Sequence, residues 1–307
     1  MEGEVPWASR QDKGELAGLK EITILSGKGG TGKTTITASF AALARNSVTV
    51  DCDVDAPDLH ILLHPTIIKT QEFEGPKLAE IDPEKCVECS LCQEACRFGA
   101  IADFQIDPIL CEGCGTCVVI CPEDAVTLKE RVSGEAFISK TKYGLLSHAL
   151  LSPGGANSGK LVTLARQNAK EAAEKGQCDL ILIDGPPGIG CPVIASVTGV
   201  DMGVIVTEPT VSGIHDMKRV LQLLAHFNVQ PLVCINKYDL NQRNTKKIEQ
   251  FCSRQKIGVI GRVPFDSMVT KAMVSETPVV EYSSESGVSL EISEMWKDIL
   301  SRIRRIQ

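Results

Sequence analysis

From Glu21 onward the chain alternates apolar runs with helix-like segments: "EITIL", "SVTVD", "DLILID", "MGVIVT", "PLVCIN" and "IGVI" each lead into a turn and then a helical pattern. Short apolar runs bounded by turns read as buried strands, and strands alternating with helices predict a parallel sheet with crossover helices. The expected fold is α/β, a doubly wound and mostly parallel sheet whose ligands sit at the carboxyl ends of the strands. The alternation breaks near Ile67 and resumes near Gly159, where "GKLVTLARQNAKEAAEKG" has helical periodicity. Inside the break lies an internal repeat. Cys86, Cys89, Cys92 and Cys96 recur as Cys111, Cys114, Cys117 and Cys121, and "CRFGAIADF" is answered by "CPEDAVTLK". The break therefore reads as a small duplicated domain, residues 71–130, inserted into a larger one made of residues 21–70 and 131–307. The stretch from Arg131 to Ser158, with "SPGGANSG", reads as a loop-rich return.

At 307 residues and 43% hydrophobic content the chain has room for one large or two modest domains. A net charge of −7, with no long Lys/Arg run, argues against nucleic acid as the main partner. Residues 1–20 are a polar N-terminal extension without the apolar stretch of a secretory signal, and no later segment is apolar and long enough to span a bilayer. A cytoplasmic protein is expected, without membrane association. In that reducing compartment thirteen cysteines point to metal or redox chemistry before disulfides.

"GKGGTGKT", Gly27 to Thr34, fits G-x-x-x-x-G-K-[ST] and joins the first apolar run to a helix beginning near Lys33. Its glycines, Gly27, Gly29, Gly30 and Gly32, let backbone N–H groups along the loop as far as Thr31 and Thr35 converge on phosphate oxygens. The helix N-terminus adds a dipole that favours anions. Lys33 supplies a point charge to the β and γ phosphates, and the Thr34 hydroxyl is placed to ligate Mg2+.

With Lys28 directly after the first glycine, "KGGTGKTT" resembles the deviant phosphate loop of the MinD, ParA, Mrp and nitrogenase-iron-protein ATPases. The resemblance implies two subunits that sandwich nucleotide, a homodimer or a heterodimer with a paralogous ATPase, with Lys28 reaching the partner's phosphates. In "VDCDVDAPDL", Asp53 is similar to the switch-one aspartate that orients the attacking water. Asp51 and Asp55 are neighbours that could share or perturb that role, or cap the next helix. In "LILIDGPPGIGCP", Asp184 looks like the Walker B aspartate that holds Mg2+ mostly through water, and "GPPGIG" resembles switch two. In "INKYD", Asn236 resembles the adenine-contacting asparagine, with Lys237 beside it; N-K-x-D is also the guanine-reading pattern of GTPases, and the deviant loop favours ATP. Lys28, Lys33 and Asp53 are thus the expected catalytic residues.

Three chemistries compete for the eight clustered cysteines. Disulfides require an oxidising compartment, and zinc sites usually take two pairs separated by a dozen or more residues. The run C-x2-C-x2-C-x3-C is instead the spacing of bacterial two-cluster ferredoxins, and it is present twice. In that pattern the fourth cysteine of each run serves the other cluster. The resemblance implies one [4Fe–4S] cluster on Cys86, Cys89, Cys92 and Cys121 and a second on Cys96, Cys111, Cys114 and Cys117. Cys121-Pro122 keeps the pattern's proline, whereas Arg97 replaces it after Cys96, where a cation could raise one cluster's potential.

Cys52, Cys178, Cys191, Cys234 and Cys252 stand singly and read as small apolar residues, with Cys191 notable for following switch two. The five histidines form no ligand spacing. The C-terminal "SLEISEMWKDILSRIRRIQ" is amphipathic, as is the membrane helix of MinD, and reads as a helix packed on its own sheet. From about Glu21 the chain resembles MinD-superfamily ATPases with an inserted ferredoxin domain. The expected function is nucleotide-gated electron transfer linked to metallocofactor or iron–sulfur assembly, with a redox partner or a metallocofactor-assembly protein. Its rivals are a MinD/ParA-like spatial organiser with structural or redox-sensing clusters, and an iron–sulfur carrier; no C-x-x-C outside the insertion is available to bridge a carrier dimer.

Overall fold

The structure, a computed structural model, describes residues 18–44, 46–152, 155 and 158–306. The N-terminal extension up to residue 17 and half of "SPGGANSG" lie outside the described residues. The chain begins with β1 (Lys20–Ser26), α1 (Lys33–Ala44), β2 (Ser47–Asp51), α2 (Leu59–Leu63) and β3 (Thr66–Glu74). A lobe follows: β4 (Leu78–Ile81), α3 (Leu91–Ala95), β5 (Ile101–Ala102), β6 (Gln105–Ile106), α4 (Thr116–Ile120) and β7 (Val126–Lys129). The chain returns through β8 (Val132–Thr141) and β9 (Gly144–Leu151) to α5 (Ser158–Gly176), β10 (Leu180–Pro187), α6 (Cys191–Val197) and β11 (Met202–Thr207). It ends with α7 (Val211–His226), β12 (Gln230–Asn236), α8 (Gln242–Arg254), β13 (Gly258–Val263), α9 (Ser267–Val274), α10 (Val279–Tyr282) and α11 (Gly287–Ile303).

Nine strands form one sheet in the order β13-β12-β11-β1-β10-β2-β9-β8-β3. From β13 to β9 every pairing is parallel, and β8 and β3 complete the sheet in antiparallel register. β1, β2 and β11 are buried at every position, as parallel strands covered on both faces must be. One face packs α5 to α8 through Leu161, Val193, Met217 and Ile248. The other packs α1, α2 and α11 through Phe40, Leu59, Trp296 and Ile299, with the Phe40 and Trp296 rings 5.2 Å apart. The apolar stripe of α11 is thus spent on the sheet, as its spacing predicts, and among the described residues no helix is long and apolar enough to cross a membrane.

The structure differs from expectation around the lobe. The supposed loop-rich return is a hairpin, β8–β9, and β3 extends the main sheet to Glu74, so the lobe begins at Gly75, whose N–H bonds Arg131 O at 3.0 Å. The alternation that should mark β8 and β9 is blurred because Ser133, Ser139, Ser147 and His148 are buried among the apolar residues. β3 is nearly all exposed; its Lys69, Glu72 and Glu74 suit an edge strand kept from further pairing.

Within the lobe the sequence repeat is a structural one. α3 and α4 are five residues each and start at equivalent positions. Asp82 and Asp107 match: their carbonyls accept from Cys86 and Cys111, and their N–H groups bond Ala125 and Ala100 of the opposite half at 2.8 Å each. Positive φ recurs at Glu88 and Gly113, at Ser90 and Gly115, and at Gly99 and Asp124. Gly113 alone among these meets backbone of the tether, since a Cβ there would lie 2.1 Å from Lys77 O.

Candidate functional site

The loop between β1 and α1 lies at the carboxyl end of the central strand, flanked by the ends of β10 and β11. Gly32 has φ +88° and stands so close to Asn236 that a Cβ would lie 2.3 Å from its Nδ2; only glycine meets both demands. Lys33 is buried, and its Nζ donates to Asp184 Oδ1 at 2.8 Å. The Thr37 hydroxyl donates to the same oxygen at 2.9 Å, and the Thr34 hydroxyl to Asp184 Oδ2 at 2.8 Å. Burial pushes the Lys33 ammonium down, but the charge and hydrogen bond of Asp184, with Asp51 and Asp53 behind, hold it above its ordinary value.

At the end of β2, Asp51 is fully buried and accepts N–H bonds from Asp53 at 3.1 Å and Leu59 at 3.0 Å. Burial first, then the Asp184 charge, pushes its carboxyl up to about 7. Asp53 is half-buried; burial raises its carboxyl, Lys33 offsets part of this, and Asp184 adds to it. Three carboxylates thus share one lysine. Asp55 is exposed. The segment after Asp53 is not free-standing, because Leu151 N–H at the end of β9 donates to Val54 O at 2.9 Å.

On the other flank, Asn236 Nδ2 donates to Thr31 O at 2.7 Å, and Lys237, in left-handed backbone, reaches Gly30 O at 3.3 Å. Lys237 also pairs with Glu208 at 2.5 Å, and Lys28 meets the second oxygen of Glu208 at 3.2 Å. The two lysines hold the Glu208 carboxyl below its usual range, against the opposing effect of burial. Sequence reasoning missed Glu208 and Thr37. The position of Glu208, just past the carboxyl end of β11, was the available signal.

The eight clustered cysteines line two cavities. One is lined by Cys86, Cys89, Cys92 and Cys121; the other by Cys96, Cys111, Cys114 and Cys117. Each draws three cysteines from one run and the fourth from the other. Ala125 N–H donates to Cys121 Sγ at 3.3 Å, and Cys114 Sγ lies 3.4 Å from the Thr116 hydroxyl. Thr116, with the Arg97 charge as a lesser contributor, holds the Cys114 thiol below its ordinary value. Among the described residues no three His, Cys, Asp or Glu are grouped as ligands of a single metal ion. Of the remaining cysteines, Cys52, Cys178, Cys234 and Cys252 are buried and Cys191 is exposed.

Residues 22–279 match the CobQ/CobB/MinD/ParA nucleotide binding domain. The chain belongs to this family. An uncharacterized protein of Methanocaldococcus jannaschii is 36% identical over 284 residues, covering 92% of this chain and 96% of that one. An iron–sulfur cluster carrier protein of Pyrococcus furiosus is 23% identical over 326 residues, covering 98% and 94%. The MinD structure of Pyrococcus horikoshii, complexed with Mg-ADP, superposes with a TM-score of 0.59 over 93% of this chain and 98% of that chain at 19% identity, a likeness of fold. The chain is thus a MinD/ParA-like P-loop ATPase, and the matched range contains the loop from Gly27 to Thr34.

Proposed function

We propose that the protein is an ATP-hydrolysing iron–sulfur protein in which the nucleotide state gates electron transfer through the 75–131 lobe, in the service of metallocofactor or iron–sulfur assembly. In this reading Lys33 and the loop amides hold the β and γ phosphates, and Thr34 and Asp184 hold Mg2+. Thr34 and Asp184 already face each other across a 2.8 Å hydrogen bond, so the hydroxyl would hold the ion and the carboxylate would hold it mostly through water. Asp53 positions the attacking water, Asn236 and Lys237 lie at the base, and Lys28 leaves Glu208 for the phosphates of a partner subunit, either a second copy or a paralogue.

The cysteine cavities fit the two expected clusters. A four-iron cube takes one cysteine sulfur per iron, and the four cysteines around each cavity support that reading. Cys86, Cys89, Cys92 and Cys121 would hold one cluster and Cys96, Cys111, Cys114 and Cys117 the other. Each bound cluster supplies a one-electron carrier.

The observation that carries the coupling is the bond from Leu151 N–H to Val54 O. Val54 follows the catalytic candidate Asp53. Leu151 pairs with Gly134 of β8, and Arg131, just before β8, donates to Pro108 O of the lobe at 2.6 Å. A shift of the Asp53 segment on nucleotide binding therefore pulls on the strands that carry the lobe. The test is electron paramagnetic resonance of anaerobically purified protein with and without ATP, beside ATPase rates with the lobe oxidised and reduced. Coupling predicts that each site changes with the state of the other; independent behaviour of both refutes it. Cluster transfer is a second reading, favoured by the name of the Pyrococcus furiosus relative, and ATP-dependent delivery of iron and sulfide to an apo-acceptor would select it.

A further inference from the structure

The two halves of the lobe match so closely in backbone that a difference between their cavities must come from side chains. Cys89 and Cys114 are both exposed, and each cavity is lined by one carboxylate, Glu123 on the first and Glu112 on the second. Two departures from the internal symmetry fall together on the second cavity. Thr116, whose Oγ1 lies 3.4 Å from Cys114 Sγ, stands where the first half has Leu91; each is the first residue of its helix. Arg97, beside Cys96, stands where the second half has Pro122, and its guanidinium lies 5.4 Å from the centroid of Phe98, a lining residue of the second cavity.

An iron-bound sulfur has no proton to give, so there the Thr116 hydroxyl must donate. A donated hydrogen bond and a nearby positive charge both favour the reduced, more negative state of a cluster. On the first cavity the sulfurs take backbone donors, Ala125 to Cys121 at 3.3 Å and Gln93 to Cys92; the Val118 amide at Cys117 matches the latter in the second half, where Thr116 and Arg97 are added.

We infer that an electron added to the lobe rests on the Cys96, Cys111, Cys114 and Cys117 side, because Thr116 and Arg97 give that site the higher reduction potential. The inference rests on the cluster reading above. It also has a direction. The second cavity touches Ala79, Gly113 packs on Lys77, and Pro108 is held by Arg131, all beside the tether; the first cavity is lined by Ile81 and Val126, at the far end of the β4–β7 ribbon. The electron thus rests at the end of the lobe joined to β8, whose partner β9 holds the Asp53 segment.

The experiment is a redox titration of the anaerobic full-length protein followed by electron paramagnetic resonance, on the wild type and on Thr116→Val, Arg97→Pro and Leu91→Thr. The expected result is two separate one-electron waves. Thr116→Val and Arg97→Pro move the upper wave down and leave the lower in place; Leu91→Thr, which writes the hydroxyl into the other half, moves the lower wave up. Coincident wild-type waves, or variants that move the wrong wave or neither, overturn the inference while leaving the clusters in place. Iron and acid-labile sulfide too low for two four-iron clusters overturn the cluster reading and this inference with it.

Discussion

Asp184 receives Lys33, Thr34 and Thr37 in a site where it is itself buried, so the phosphate loop is held by an ion pair when no nucleotide competes for the lysine. Removing one partner of such a pair leaves a buried charge. Lys33→Ala is therefore expected to abolish ATP hydrolysis and to cost about 3 kcal/mol of stability in nucleotide-free protein, read as a lower guanidinium midpoint. His148, opposite Asp51 in the β2–β9 register, is stacked on Phe137 with its Nδ1 unpartnered, and burial pushes its imidazole down to about 4. An unfolded histidine titrates near 6.5, so between about pH 6.5 and 4 the unfolded chain binds a proton that the folded chain does not, and acid destabilises the fold by up to about 3 kcal/mol across that window. Asp51 acts with the opposite sign: its raised folded value means that the fold binds the extra proton between about pH 4 and 7, so its contribution improves as pH falls through that range. The two are separated by comparing wild type with His148→Leu, which is expected to lose less stability on going from pH 7 to 5. Parallel losses would show that His148 is not the group that protonates.

At the scale of elements, β9 joins two jobs. It is the parallel neighbour of β2 and the antiparallel neighbour of β8, and its last N–H holds Val54. Leu151→Pro deletes that donor at the last residue of β9. The variant should keep its iron content and bind ATP, yet its resonance spectrum should no longer respond to ATP; an undiminished response would mean that the coupling runs elsewhere. The parallel strands β1, β2, β10, β11, β12 and β13 were legible because a strand covered on both faces must be apolar throughout. β3, β8 and β9 were not, because an exposed edge strand and a hairpin with buried serines carry no such run.

At the scale of the molecule, the lobe is an excursion whose ends meet: Gly75 and Arg131 are hydrogen-bonded, and β3 pairs with β8 on the sheet side of them. Replacing residues 76–130 with a short Gly/Ser linker should therefore leave a folded ATPase that binds nucleotide by calorimetry and carries no iron. Loss of nucleotide binding would show that the lobe supports the sheet. With the full chain, chelation of iron should raise hydrogen exchange throughout residues 75–131 while β1, β10 and β11 stay protected, because cysteines from both halves line each cavity.

The sequence by itself determined the parallel sheet, the phosphate loop and the cysteine repeat, since each is dictated by local rules of burial, backbone freedom or ligand spacing. The tertiary structure decided what the loops touch. Glu208 between Lys28 and Lys237, Thr37 on Asp184, and Leu151 on Val54 join residues far apart in the chain, and no local pattern records them. The cysteine runs lie between these two cases: their spacing is local and its resemblance to two-cluster ferredoxins already implies the exchange of fourth cysteines, while the packing of one half of the lobe against its twin is what brings Cys121 and Cys96 to the cavities of the opposite runs.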